Sequence, residues 1–119
     1  MESHKFRFQH LDIWKRSALV SGPLFDIADT LEQRKKFRWA EQLRAATLSI
    51  TNNIAEGSGS FNKAEFAQFL NYARRSAFES ANILILLHNE NHLPTPPDPH
   101  LSELEEICRM ITSFRKTLL

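Results

Sequence analysis

Apolar residues recur every three or four positions along four stretches of the chain, which is the spacing of helices that bury one face. These stretches predict α-helices over residues 11–34, 39–56, 62–91 and 99–118. Only 3 residues are glycine, and four of the 5 prolines lie between Pro94 and Pro99, so helix breakers are confined to a few places. No alternating run of β-branched residues indicates a strand. The pattern therefore predicts an all-α protein, and the short connections favour an antiparallel, up-down-up-down four-helix bundle.

The connection between the second and third helices carries two end signals. Gly57 and Gly59 are expected to stop the second helix by taking the left-handed conformation, which glycine adopts without strain. Asn62, followed three residues later by Glu65, matches the capping box that starts a helix. These residues give the most sharply marked boundaries in the chain.

Proline marks two further places. Pro23 lies inside the first helix, where it removes one backbone hydrogen bond, so we expect one bent helix with a kink there. Asp98 is a natural N-cap for the fourth helix, and Pro99 suits its first position.

Two helices carry features that predict close contacts. One seam of the second helix consists of the small residues Ala45, Ala46 and Ala55, so a neighbouring helix is expected to approach closely and the second helix to be central. From Ile83 to Leu87 the third helix is apolar on every side. Unless this segment is central, its surplus apolar face is expected to meet another subunit.

Composition indicates one ordinary globular domain spanning residues 1–119, with 42% hydrophobic and 24% charged residues. The 15 Lys and Arg against 14 Asp and Glu leave a net charge of +1, so attraction of nucleic acid would need local clustering of cations. The single cysteine, Cys108, excludes an intramolecular disulfide and suits a reducing cytoplasm. The N-terminus lacks an apolar signal core, and no stretch is long enough to cross a bilayer. We therefore expect a cytoplasmic protein without a membrane partner.

One dense basic cluster lies between the first two predicted helices. Cations interleaved with aromatic side chains can grip phosphates and stack on bases. The alternative is a solvated loop whose cations interact favourably with the negative, C-terminal end of the dipole of the first helix. The cluster consists of four cations, Arg34, Lys35, Lys36 and Arg38, interleaved with Phe37 and Trp39.

The segment from Gln42 to Gly57 reads QLRAATLSITNNIAEG. It resembles the signature Q-[LI]-R-R-A-x-x-S-I-x-x-N-I-A-E-G of the four-helix bundle proteins also called 23S rRNA intervening-sequence proteins. The flanks agree, since residues 11–14 are similar to the family's L-x-x-W and residues 63–70 to its K-x-E-F-x-x-F-L. The chain departs from the pattern at Ala45, where many relatives have arginine, and at Arg75, where glycine is common.

The resemblance implies a left-handed up-down-up-down bundle and a ring of five identical subunits. Members of the family are encoded inside intervening sequences of large-subunit ribosomal RNA genes. A distant relative of the same fold, the accessory protein of diversity-generating retroelements, binds nucleic acid. The resemblance implies no reaction and no cofactor.

Three polar residues lie in the signature segment, Arg44, Asn53 and Glu56. Asn53 and Glu56 share one helix face because they are three residues apart. They are interpreted either as a ligand or RNA contact or as a hydrogen-bond network that fixes helix register. We favour the structural interpretation, because buried polar groups must be paired and such pairing specifies packing.

Catalytic candidates are weak. His88 and His92 lie one helical turn apart, a spacing that can bind a metal, and His100 follows the next loop. The signal is weak, because no cysteine and no carboxylate other than Glu90 lies at ligand spacing. The serines have no matching histidine and acid partners, and no P-loop, dinucleotide fingerprint or zinc-hydrolase helix occurs. We therefore expect no enzyme, no metal site and no cofactor.

The sequence thus leaves three hypotheses. The preferred one is a non-enzymatic homo-oligomer, expected to be a homopentamer, that binds structured RNA or DNA through Arg34, Lys35, Lys36 and Arg38. The first alternative is a purely structural or protein–protein scaffolding oligomer without nucleic-acid affinity. The second is a metal-dependent enzyme in which His88 and His92 converge on an ion.

Overall fold

Four long α-helices make up most of the computed structural model, which describes residues 6–119. A short 3₁₀ turn precedes them, and the described residues contain no strand. The turn spans Arg7–His10 and the helices are α1 Asp12–Gln33, α2 Phe37–Ser58, α3 Lys63–Asn89 and α4 Asp98–Lys116. Each helix end differs from the predicted one by at most two residues, and the prediction of an all-α protein with four helices is confirmed. Residues 1–5, part of the N-terminus said above to lack a signal core, lie outside the described residues.

The core is built from the apolar stripes of all four helices. The stripe predicted for α2 is completely buried, and the one polar residue in it, Thr47, buries a hydroxyl that has no partner within residues 6–119. Helix α4 buries the fewest residues of the four helices, namely three. None of the helices in residues 6–119 is long and apolar enough to cross a membrane. The buried stripe of α2 is Ala40, Leu43, Thr47, Ile50 and Ile54, and that of α4 is Leu104, Ile107 and Ile111.

Helix α1 continues without a break through Pro23, as one helix. Two buried serines precede the proline, and each donates its hydroxyl proton to a carbonyl four residues earlier. Ser17 Oγ lies 2.7 Å from the oxygen of Ile13, and Ser21 Oγ lies 2.7 Å from that of Ser17. These serines bury small side chains in α1 without leaving a hydroxyl unsatisfied.

The connection between α2 and α3 differs from the prediction. No glycine within residues 6–119 has a positive φ, so the expectation that Gly57 and Gly59 adopt the left-handed conformation is wrong. Gly59 caps α2 with φ −87° and ψ 0°, which any residue can adopt. Gly57 lies inside α2, where a Cβ would stand 2.7 Å from Cβ of Phe69 and 2.8 Å from Cδ1 of Phe66. Close approach of α3, and not backbone conformation, is what requires glycine at this position.

The left-handed conformation occurs elsewhere, at Lys35 with φ 63° and at Asn91 with φ 60°. These residues follow the ends of α1 and α3, respectively. Both helices therefore end in a tight turn without glycine. Asparagine tolerates this conformation well, whereas lysine adopts it at a modest cost.

The predicted N-cap of α3 is present in the structure, whereas that of α4 is not. Asn62 Oδ1 accepts a hydrogen bond of 2.7 Å from the backbone N–H of Glu65, which is one of the two bonds of a capping box. Helix α4 begins one residue earlier than predicted, with Pro97 at the N-cap and Asp98 already in the first turn. Asp98 therefore does not cap the helix. Its carboxylate interacts favourably with the positive end of the helix dipole.

A bidentate ion pair joins α1 to α4. Arg16 Nε lies 3.0 Å from Oε2 of Glu103, and Arg16 Nη2 lies 3.2 Å from Oε1. The hydrogen bond to Arg16 lowers the pKa of Glu103. Both side chains are more than a third exposed, so solvent screens the ion pair and its contribution to stability is small. Its geometry specifies that α1 lies beside α4.

Candidate nucleic-acid interface

The basic cluster forms the turn between α1 and α2. The N–H of Lys36 donates to the carbonyl of Leu31 over 2.8 Å and closes the end of α1. Arg34 reaches outward, and its Nη1 donates to the backbone carbonyl of His92 over 2.9 Å. This bond ties the α1–α2 turn to the segment that follows α3. Arg34, Lys35 and Arg38 are exposed and Lys36 is partly buried, so all four predicted cations reach the solvent at this turn.

The two aromatic residues of the cluster take different roles. Phe37 lies between Lys36 and Arg38 in the chain and is 57% exposed. Trp39 is partly buried and packs edge-on against the ring of His92, with centroids 6.0 Å apart. Within residues 6–119, none of the four cations forms an ion pair with a carboxylate. The surface therefore combines unneutralised positive charge with one ring that is free to stack.

The polar residues of the signature segment do not form one site. Arg44 holds two carboxylates of α1, with Nη2 2.6 Å from Oδ1 of Asp29 and Nη1 2.8 Å from Oε1 of Glu32. The hydrogen bonds to Asp29 and then Glu32 raise the pKa of Arg44. Glu56 is exposed and, in the described part of the chain, makes no hydrogen bond to Asn53 although the two share a face.

Asn53 belongs to a hydrogen-bonded bridge between α2 and α3. Its Nδ2 donates to the carbonyl oxygen of Ser49 over 2.8 Å and to Ser49 Oγ over 3.0 Å. Ser49 Oγ in turn lies 3.0 Å from Ser76 Oγ on α3, and Ser76 is buried. Asn53 thus bonds within α2, and the link to α3 is made by Ser49 and Ser76.

A family model described as the 23S rRNA-intervening sequence protein matches residues 9–113 of the chain. The chain belongs to this family. No curated protein matches the sequence. The match covers the helical part of the chain from the first 3₁₀ turn into α4, so the signature segment, the basic turn and the α2–α3 bridge all lie inside the region that defines the 23S rRNA-intervening sequence family.

Arg75, where glycine is common among 23S rRNA-intervening sequence proteins, is exposed beside the α2–α3 bridge. Together with the bridge residues it lines a cleft of about 500 Å³, which also contains Tyr72 and Glu79. Arg75 is exposed, whereas its neighbour Ser76 is buried and makes the hydrogen bond to α2.

The hypothesis that His88 and His92 bind a metal ion finds no support in the described residues. Within residues 6–119, no group of three or more His, Cys, Asp or Glu side chains could hold a metal ion. His92 contacts Trp39 with its ring and accepts from Arg34 with its carbonyl oxygen. His92 therefore contacts the α1–α2 turn through both its ring and its backbone.

Sequence reasoning missed a second group of cations. Arg74 on α3 and Arg115 and Lys116 on α4 line one groove between these helices. They are far apart in the sequence, so no local cluster announces them. The only signal was indirect: Arg74 and Arg75 precede an exposed phenylalanine on α3, and Arg115 and Lys116 end α4.

Proposed function

We propose that this member of the 23S rRNA-intervening sequence family is a non-enzymatic, self-assembling cytoplasmic protein that binds structured RNA through the turn from Arg34 to Arg38. The observation that carries the proposal is the basic surface itself. Its four cations have no carboxylate partner in residues 6–119, and the exposed Phe37 follows Lys36 and precedes Arg38 in the chain. In a chain with net charge +1, such a surface is a source of local phosphate attraction.

The architecture in this proposal is a left-handed, antiparallel, up-down-up-down bundle. Its support is that helices adjacent in sequence contact each other and that α1 also contacts α4. In that arrangement the α1–α2 turn and the α3–α4 segment share one end of the bundle, which agrees with the contact of Arg34 with His92. A ring of subunits would repeat this end and turn a single basic turn into a basic rim.

The test uses a charge reversal of the turn, Lys35→Glu with Lys36→Glu. Binding to a structured RNA is measured by filter retention across a series of salt concentrations. We expect the wild-type affinity to fall steeply with salt, because neutralised phosphates release counterions. The variant is expected to bind more weakly, with a salt slope smaller by about 2, because two phosphate contacts are lost.

The matched control reverses two lysines outside the turn, Lys15→Glu with Lys63→Glu. Both residues are exposed, and the change in net charge equals that of the turn variant. The control is expected to keep most of the salt slope. The proposal is wrong if the wild type shows no affinity in low salt, or if the turn variant binds with unchanged affinity and slope.

The alternative function is a scaffolding oligomer without nucleic-acid affinity. It is favoured by the contacts of the signature polar residues, since Arg44 pairs with carboxylates of α1 and Asn53 bonds to Ser49, both within the chain. Absence of RNA binding together with a stable oligomer would select this alternative.

A further inference from the structure

A small polar groove between α3 and α4 brings together cations from both helices. It encloses about 240 Å³, which is room for several water molecules and hence for a phosphate group. Three of its lining residues are cationic, two offer an amide or a hydroxyl, and none is a carboxylate. The lining residues are Asn71, Arg74, Ile111, Thr112, Arg115 and Lys116.

The charges of this groove are not neutralised by the protein. Arg74, Arg115 and Lys116 have no ion pair within residues 6–119. Other arginines do pair: Arg16 with Glu103, and Arg109 with Glu106 at 2.9 Å. An anion in the groove would therefore meet positive charge that is not already engaged.

Two of the cations are held in place. Arg115 is partly buried, and its Nε donates to the carbonyl of Ala67 over 3.0 Å, which leaves its terminal N–H groups available. The guanidinium of Arg74 lies 4.7 Å from the ring centroid of Phe78. Side chains that are already ordered lose less entropy when they bind an anion, so Arg74 and Arg115 are preorganised for binding.

A larger apolar groove continues from the polar one. It encloses about 770 Å³ and shares Arg74 and Thr112 with it. Its other lining residues include Phe78, Ile85, Leu101 and Cys108. Phe78 is 56% exposed, and Arg74 covers part of its ring, so a base in the apolar groove would pack against the part of the ring that Arg74 leaves uncovered.

We propose that these joined grooves are a nucleotide site, in which Arg74, Arg115 and Lys116 bind the phosphate and the apolar groove beside Phe78 receives the base. The inference rests on the proposed function in one respect: it supplies an RNA strand with a second phosphate contact, away from the basic turn. The same chemistry would also bind a free mononucleotide.

The first experiment measures binding of adenosine 5′-monophosphate to the full chain by equilibrium dialysis at low salt. The test variant is Arg74→Gln with Lys116→Gln, two exposed side chains whose loss should leave the fold intact. We expect its affinity to fall at least about tenfold, because two charge-assisted contacts to phosphate are removed. The control, Lys15→Gln with Lys63→Gln, removes the same charge outside the groove and should change affinity less than about twofold.

A second measurement locates the ligand through Cys108, the only thiol of the chain. Burial raises the pKa of Cys108, so alkylation by N-ethylmaleimide is followed at mildly alkaline pH. Adenosine 5′-monophosphate should slow alkylation because the base covers the apolar groove. Inorganic phosphate should not, because it occupies only the polar groove.

Several outcomes would overturn the inference: no binding of the mononucleotide, equal affinity for adenosine, equal weakening in both variants, or no protection of Cys108. An adenosine hexanucleotide distinguishes the sources. Tighter binding than the mononucleotide, with protection of Cys108, assigns the site to an RNA strand, and weaker binding assigns it to a free nucleotide. Lys35→Glu with Lys36→Glu should leave mononucleotide binding unchanged, so failure of the turn and failure of the groove are distinguishable.

Discussion

At the scale of single residues, Gly57 shows how a correct position can be expected for the wrong reason. The sequence marked it as a helix stop, because glycine followed by a polar run is typical of a helix end. The structure places it inside α2 against the rings of α3, where any side chain would collide. Sequence spacing cannot tell these roles apart, because the neighbour that excludes a Cβ comes from another helix.

Replacing Gly57 with alanine is expected to destabilise the protein by about 1–2 kcal/mol. The new Cβ would lie 2.7 Å from Cβ of Phe69, which forces α3 to shift. Overpacking of this kind costs about 1–3 kcal/mol, and the better helix propensity of alanine returns up to about 1 kcal/mol. The free energy of unfolding is measured in urea at one protein concentration, since assembly would make stability depend on concentration.

Gly59 provides the matched control. An added Cβ there would lie 3.4 Å from the carbonyl oxygen of Glu56, which is ordinary contact, and φ is −87°. Gly59→Ala should therefore be neutral or slightly stabilising. A Gly57→Ala variant as stable as Gly59→Ala would show that the two helices are not closely packed at this point.

At the scale of elements, the sequence predicted the helices well because each helix carries its own periodic signal. The stripe of α2 was predicted and is buried, from Ala40 to Ile54. The small seam was predicted less well: Ala46 is 2% exposed, but Ala45 is exposed and Ala55 is only partly buried. Adjacent residues of a helix point about 100° apart, so the edge of a buried face is fixed by its neighbours and not by residue size.

Replacing Ala46 with leucine should destabilise the protein by about 1–3 kcal/mol. Ala46 is buried in the core cluster, where extra methylene groups force strain. The same substitution at the exposed Ala45 tests leucine itself in the same helix and should change stability by less than about 0.5 kcal/mol. Urea unfolding of both variants decides the matter, and an unchanged midpoint for Ala46→Leu would place this face outside the tight core.

At the scale of the whole molecule, the two candidate sites differ in how easily they can be recognised in the sequence. The basic turn is contiguous, so charge and aromatic residues are visible together from Arg34 to Trp39. The groove between α3 and α4 is not, because Arg74 and Arg115 meet only after the helices pack. The pairing of Arg44 with Asp29 was likewise invisible, since a signature pattern fixes residue types and not their partners.

Assembly is the remaining property of the whole molecule, and the surface of α3 bears on it. Of the all-apolar run from Ile83 to Leu87, the core takes Ile83, Leu84 and Leu87. Ile85 and Leu86 stay 44% and 42% exposed. Ile85 lines the apolar groove between α3 and α4, whereas Leu86 does not. An exposed leucine outside the groove favours contact with another protein surface, and a second copy of the chain is the occupant expected from the predicted ring.

Light scattering of the purified protein is expected to give a mass near five times the 13.8 kDa chain, since five is the number of subunits that the family resemblance implies. Leu86→Asp should lower this mass, because a carboxylate buried at a subunit contact lacks a partner. Leu19→Asp, at a leucine of α1 that is 74% exposed, controls for placing aspartate in a helix and should leave the mass unchanged. A dimer or tetramer would contradict the ring while keeping assembly. A monomeric wild type would contradict assembly itself, and dissociation by Leu19→Asp alone would move the contact from α3 to α1.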